Sequence, residues 1–163
     1  MKPAAARIQA ALDALGTGRT VIELSVDART SQQAADAVGV GVGQIAKSLV
    51  FTVDGTPVMV IASGINRVDE RKLAALAGGK IRRADADTVR RVTGYAIGGV
   101  PPFAHDTVLP IWIDEDLVGY ELIYAAAGAP DCVFPLTPDD LLRATGGRVA
   151  DLKESRFLKG EPT

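Results

Sequence analysis

The sequence predicts a mixed α/β domain of α+β character, a curved mixed β-sheet flanked by helices. Three observations lead there. Strand-like and helix-like segments are interspersed along the 163 residues, a pattern that needs a sheet covered by helices. The segments KSLVFTV (47–53) and PVMVIA (57–62) flank Asp54-Gly55, a hairpin signal that makes at least one strand pair antiparallel. The helical stretches open on Thr or Asp and close on Gly, so they are short connectors. No repeat, low-complexity tract or linker divides the chain, and its length suits one core, so a single domain over residues 1–163 is expected.

In chain order, residues 3–15 place Ile8, Leu12 and Leu15 at i, i+4 and i+7 of a helix stopped by Gly16. TVIELSV (20–26) reads as a strand. Thr30 and Gln33 form a capping box for a helix that runs to Val38 and closes at Gly39. GVGVG (39–43) is a loop leading through a turn of helix into Lys47. After the hairpin, residues 69–77 turn Leu73, Leu76 and Ala77 to the core and end at Gly78-Gly79. Residues 80–83 make a short strand, Asp85 caps a helix carrying Val89 and Val92, and residues 94–102 are rich in Gly and Pro. Strands follow at 109–113, 121–125 and 132–136. Thr137 caps a last helix with Pro138 at its first position, where a missing N–H costs nothing. Leu141, Leu142 and Thr145 form its apolar side, and Gly146-Gly147 ends it. Only the polar ends, 1–2 and 159–163, read as disordered.

Composition excludes several function classes. A net charge of -2 argues against a protein that wraps DNA, so any nucleic-acid contact is confined to a patch. Cys132 is the only cysteine and His105 the only histidine, so neither an internal disulfide nor a zinc cluster is available, and no metal is expected. The N-terminus has no apolar signal segment and the apolar runs are strand-length. The expected setting is cytoplasmic, with no membrane partner.

Three places hold residues suited to chemistry. Period-2 alternation puts Lys47, Leu49, Phe51 and Val53 on one face and Ser48, Val50 and Thr52 on the other. The first row has the larger apolar side chains and is the expected core face, which aims Lys47 at a partly desolvated space. A lysine there either donates to an oxyanion or phosphate, or snorkels from the sheet edge into water. In GYAIGGVPPFAH (94–105), Gly98 and Gly99 after an apolar strand let backbone N–H groups approach a ligand, and Pro101-Pro102 stiffen the exit. That suits oxyanion stabilisation, and equally a tight turn. Asp131, after a Gly-Ala-Pro turn, either orients a substrate amine or water or caps its turn.

Other candidates fail on chemistry. A Cys132–His105 dyad is possible on paper, but Cys132 opens an apolar strand and reads as a small buried hydrophobe. Ser63 lies outside any G-x-S-x-G, and GVGVGQIAKS lacks the Gly-Lys-Ser/Thr ending of a phosphate loop. Lys80, Arg82, Arg83, Arg90 and Arg91, with Arg67, Arg71 and Lys72 upstream, either form a basic rim for an acceptor stem or, with the interleaved acids Asp69, Glu70, Asp85 and Asp87, a solvated helical face.

A lysine before an apolar strand, then Gly-x-x-x-Pro from Gly98 to Pro102, resembles the YbaK/EbsC family of aminoacyl-tRNA deacylases. That family includes the editing domain inserted in bacterial prolyl-tRNA synthetases. The likeness spans roughly residues 20–151 and takes in IAKSLVF (45–51), VMVIASG (58–64), RKLAAL (71–76), GYAIGGVPPF (94–103) and AAAGAPDCVFPLTPDDLLRATGGRVADL (125–152). Ser48 stands where many relatives have threonine, and Pro101 is an uncommon neighbour. The resemblance implies the YbaK/aminoacyl-tRNA synthetase-associated domain fold and hydrolysis of the ester joining a small amino acid to tRNA, without a cofactor. It implies that Lys47 is essential and that Gly98 and Gly99 hold the substrate carbonyl and terminal ribose. Asp131 aligns with a pocket residue, and Ser48, Val50 and Pro102 complete the expected substrate contacts.

The function expected from these residues is a trans-acting deacylase serving translation fidelity. Its foremost substrate is tRNA-Pro carrying a small non-cognate residue such as alanine or cysteine. The aminoacylated 3′ end of tRNA is the expected partner, together with a synthetase, and DNA is not. Val50, Phe51 or Ile97 would shape the acyl pocket by size. Two other readings stay open: a non-catalytic module of the same fold that binds aminoacyl-tRNA or a synthetase, and a small-molecule esterase with no use for the arginines.

Overall fold

The computed structural model describes residues 1–155. The elements are α1 (Pro3–Ala14), β1 (Ile22–Glu23), α2 (Ser31–Val38), β2 (Ile45–Val53), β3 (Thr56–Ser63), α3 (Glu70–Ala77), β4 (Ile81–Arg83), α4 (Ala86–Thr93), β5 (Ile111–Asp114), α5 (Glu115–Val118), β6 (Ile123–Ala126), β7 (Cys132–Leu136), α6 (Pro138–Thr145) and β8 (Arg148–Ala150). Among the described residues, eight strands form one mixed sheet in the order β1-β7-β6-β2-β3-β5-β8, with β4 also paired to β2. This is the mixed α/β architecture the alternation of elements predicts. No described helix is long and apolar enough to cross a membrane.

Local chemistry sets most boundaries. Thr30 and Gln33 close the capping box at the start of α2. Asp69, Asp85 and Thr137 accept from backbone N–H groups at the starts of α3, α4 and α6, each worth about 0.5–2 kcal/mol. The β2–β3 hairpin turns at Asp54 and Gly55, with φ of 48° and 85°, as a two-residue turn of that hand requires.

The sheet is covered on both sides, which corrects the core-face expectation. Ala46 and Val50 of β2 pack with Met59 and Ile61 of β3 into the larger cluster, with Ala5, Ile8 and Leu12 of α1, and Phe134 and Leu136 of β7. Phe51 faces a smaller cluster with Val58, Val60, Leu73, Trp112 and Leu152, against which Leu49 and Val53 pack. Alternation sorts residues to two faces but does not say which face meets more of the chain.

Other expectations need correction. The strand at 20–26 shrinks to Ile22–Glu23, because the N–H groups of Leu24 and Ala28 donate to the carbonyls of Asp131 and Pro130 outside the ladder. No strand precedes Gly98; the segment leaves the end of α4 directly. The helix α5 and the strand β8 are additional. Residues 1–2 are not loose ends: the Met1 amine lies 3.8 Å from Glu23, and Lys2 Nζ donates to Asp131 Oδ1 at 2.8 Å. The polar end at 159–163 lies outside the described residues.

Candidate active site at a gap in the sheet

β2 is flanked along one side by β3 over its whole length, from Ala46–Ser63 to Val53–Thr56. Its other side is shared. The parallel register with β6 stops at Ala46–Ala125, and the antiparallel register with β4 starts at Phe51–Arg83. Between them, Lys47 to Val50 have no strand partner on that side. Alternation fixes which backbone groups face the opening. The Ala84 N–H donates to the Val50 carbonyl at 3.1 Å, whereas the Ile45 carbonyl accepts from Gly64 on the β3 side. Even-numbered residues of β2 therefore direct their backbone groups into the gap. The Ser48 N–H, the Ser48 carbonyl and the Val50 N–H have no partner among the described residues.

A cavity of about 860 Å³ occupies this gap, a size suited to a small-molecule or cofactor-sized ligand. Lys47, Ser48, Leu49, Val50 and Phe51 line it from β2, and Ala84 and Ala125 mark the ends of the flanking strands. Gly98 and Ile97 line it from the loop after α4, and Arg29 and Ser31 from the start of α2. Arg67 and Arg83 also face it, and Glu70 is the only acidic lining residue among the described residues. Lys47, Ser48, Val50, Gly98 and Arg83 are thus brought to one hollow.

The glycine loop is held by backbone hydrogen bonds. The Gly99 N–H donates to the Ala96 carbonyl at 3.1 Å, closing a turn in which Gly98 is the third residue, with φ of 98°. A positive φ there is the type II requirement that glycine meets without strain. The Ile97–Gly98 peptide has no partner among the described residues, so its polar atoms remain free beside the cavity. The Gly99 carbonyl accepts from the Gly128 N–H at 2.9 Å. His105 Nε2 donates to the Pro101 carbonyl at 2.7 Å, and the Tyr95 hydroxyl to the Ala104 carbonyl at 2.8 Å.

Lys47 is half-buried, and desolvation holds its amine below the usual lysine range. The positive charges of Arg83 and Arg67 push in the same direction, while Asp114 opposes them. Arg83 itself lies 5.7 Å from the Phe51 ring centroid, a cation–π distance. Asp114 is buried and accepts from the Ser63 N–H (3.0 Å), Asn66 Nδ2 (2.8 Å) and the Asp116 N–H (2.9 Å). Ser63 pairs with Ala46, so this network braces the sheet next to Lys47. The Ser48 hydroxyl is buried without a partner among the described residues.

The other expected site residues lie elsewhere. Gly99 and Pro102 do not line the cavity, and the Gly99 N–H is spent in its turn. Asp131 also stays outside the lining; its carboxylate holds Lys2, which keeps it ionised below the usual carboxylate range. Arg82, Arg90 and Arg91 are exposed and off the cavity wall. The Cys132 thiol points to Asp131 Oδ1 at 3.5 Å and His105 to Pro101, so no dyad forms. Burial pushes the Cys132 thiol up, away from the thiolate. Sequence reasoning placed Arg67 in the candidate basic rim but missed Arg29, which directly precedes the α2 cap Thr30; that adjacency was the available signal.

Comparison with known proteins identifies the family. Residues 25–144 match the family model described as "Aminoacyl-tRNA editing domain". The chain is 35% identical over 124 residues to the uncharacterised protein YwhH of Bacillus subtilis, covering 74% of this chain and 78% of that one. It is 28% identical over 130 residues to EbsC of Enterococcus faecalis, a candidate Cys-tRNA(Pro)/Cys-tRNA(Cys) deacylase, covering 78% and 79%. A crystal structure of a candidate trans-editing enzyme for prolyl-tRNA synthetase superposes with a TM-score of 0.90 at 49% identity, covering 95% of this chain and 99% of that one. With the match spanning most of its length, the chain belongs to the aminoacyl-tRNA editing domain family.

Proposed function

We propose that this protein is a hydrolase that cleaves the ester of a mischarged aminoacyl-tRNA, acting in trans on tRNA-Pro that carries a small non-cognate amino acid. The observation that carries the reading is that Lys47 and the Gly98 turn line one cavity. An aminoacyl ester is already activated, so polarising its carbonyl and placing a water is sufficient chemistry. The Lys47 ammonium and the free Gly98 N–H supply the polarisation. Attack is assigned to water: Cys132 also lines the cavity, but burial and the neighbouring Asp131 carboxylate push its thiol above the usual cysteine range, which disfavours the thiolate nucleophile. The ribose 2′-hydroxyl of the substrate helps to orient that water.

Charge supports a tRNA end over a neutral ester. Among the described residues, four cations (Arg29, Lys47, Arg67 and Arg83) line the cavity against one acid, Glu70. Arg82, Arg90 and Arg91 extend the positive surface outward to the acceptor stem. The acyl end meets small apolar walls at Val50, Val100, Ala125 and Val133, which fit a small side chain. The names of the two characterised-by-name relatives, EbsC and the prolyl-tRNA trans-editing candidate, point to the same substrate class and to work alongside a synthetase.

The test is a deacylation panel with several mischarged tRNAs, comparing wild type with Lys47→Met. Turnover of alanyl- or cysteinyl-tRNA-Pro, lost in the variant with folding intact, is the expected result. An inactive wild type across the panel would leave a binding module in its place.

A further inference from the structure

From the break in the β2 pairing we infer that the aminoacyl group binds as a one-residue strand, completing the sheet between β6 and β4 at Ser48–Val50. This rests on the deacylase reading and names how that site holds its substrate. The gap presents an acceptor, the Ser48 carbonyl, and two donors, the N–H groups of Ser48 and Val50, none with a partner among the described residues. An aminoacyl ester carries the complementary set at the spacing of a peptide residue: an α-ammonium donor, one carbon, then a carbonyl acceptor. Adding a strand to an exposed sheet edge is a general mode of main-chain recognition. Here the edge is interrupted on both sides, by Ala125 of β6 and Ala84 after β4, so the vacancy has the length of a residue and not of a peptide.

The pairing rules fix the contacts. In either direction the ammonium donates to the Ser48 carbonyl. The ester carbonyl accepts from the Ser48 N–H if the acyl group runs antiparallel to β2, and from the Val50 N–H if it runs parallel. Both arrangements put the ester beside Lys47 and the Gly98 turn, which line the same cavity. The slot reads the common backbone of an amino acid, so a free, unsubstituted α-amine is required whatever the side chain.

Amide hydrogen exchange on the ¹⁵N-labelled protein tests this without altering the backbone. The probe is 3′-alanylamido-3′-deoxyadenosine, whose amide replaces the scissile ester. At saturation the Ser48 or the Val50 amide should exchange at least ten-fold more slowly; either one supports the slot and reports the direction. A second measurement compares alanyl- and lactyl-tRNA, in which a hydroxyl replaces the ammonium, each rate normalised to its uncatalysed hydrolysis. Lactyl ester should lose at least ten-fold in normalised kcat/KM. If the probe shifts the Lys47 and Gly98 resonances while neither amide gains protection, the slot is refuted and the deacylase reading stands. Failure of the probe to bind, with no turnover of any charged tRNA, overturns both.

Discussion

Gly98 and Gly99 look interchangeable in sequence, and substituting each by alanine should separate them. A Cβ at Gly99 would sit 2.7 Å from Ala129 Cα, 2.8 Å from its N and 3.0 Å from its carbonyl carbon. These are backbone atoms, and the Gly128 N–H donating to the Gly99 carbonyl holds that strip in place. Overpacking of this kind costs about 1–3 kcal/mol, and the loss of that hydrogen bond about 1 kcal/mol more. With a urea m-value of about 2 kcal/mol/M, the denaturation midpoint of Gly99→Ala should fall by roughly 1–2 M. At Gly98 the added Cβ meets only Arg29, at 3.4 Å from Nη1, the end of a flexible side chain. Its cost is the φ of 98°, about 1–3 kcal/mol of backbone strain, or a relaxed turn. Gly98→Ala should therefore lose activity beyond its loss of stability, whereas any activity loss in Gly99→Ala should track unfolding. Urea titration monitored at Trp112 and deacylation at matched folded fraction read both effects. A Gly99→Ala protein with an unchanged midpoint would refute the packing argument.

Further outcomes follow from the geometry. Lys47→Met should lower kcat by about 10²–10³, the effect of removing one oxyanion donor. The same change should not destabilise the fold: with a folded pKa below the unfolded one, the charged amine costs stability at neutral pH, a cost relieved only as pH rises through the interval between them. Activity that needs the ammonium should fall with rising pH earlier than an ordinary lysine would dictate, and Arg83→Gln should move that limb to higher pH; a limb that stays put in pH–rate profiles removes Arg83 as a cause. Ser48→Ala, which deletes a buried hydroxyl without a partner, should match or exceed wild-type stability in a thermal melt. Arg29→Gln and Arg83→Gln should raise KM for charged tRNA but not for an aminoacyl-adenosine, each reducing the salt slope of tRNA affinity by about 0.7.

Much of the fold was legible because its signals are local. The capping pairs Thr30/Gln33 and Thr137/Pro138 and the Asp54-Gly55 turn each act within a few residues. Strand pairing is not local, and the misreadings arise there. Nothing in TVIELSV tells that only Ile22 and Glu23 find β7. Arg148–Ala150 becomes a strand because Trp112–Asp114 lies beside it. The site follows the same division. Lys47 and Gly98 stand out by residue type and spacing, but the gap exists only because β6 and β4 stop short of each other on β2. The ion pair of Asp131 with Lys2 was not legible because the two are remote in sequence.

The helix α1 has a practical consequence for handling this protein. The recognisable family region begins at residue 25, yet Ala5, Ile8 and Leu12 are fully buried, and Ala4 packs against Gly128. At the far end, Leu152 is 1% exposed, and its carbonyl accepts the Asp69 N–H at the start of α3. A version trimmed to 25–144 would lack these plugs and bare apolar surface on both faces of the sheet, inviting aggregation. The fold needs segments on both sides of the family-model match, and truncation for crystallography or domain grafting should keep them.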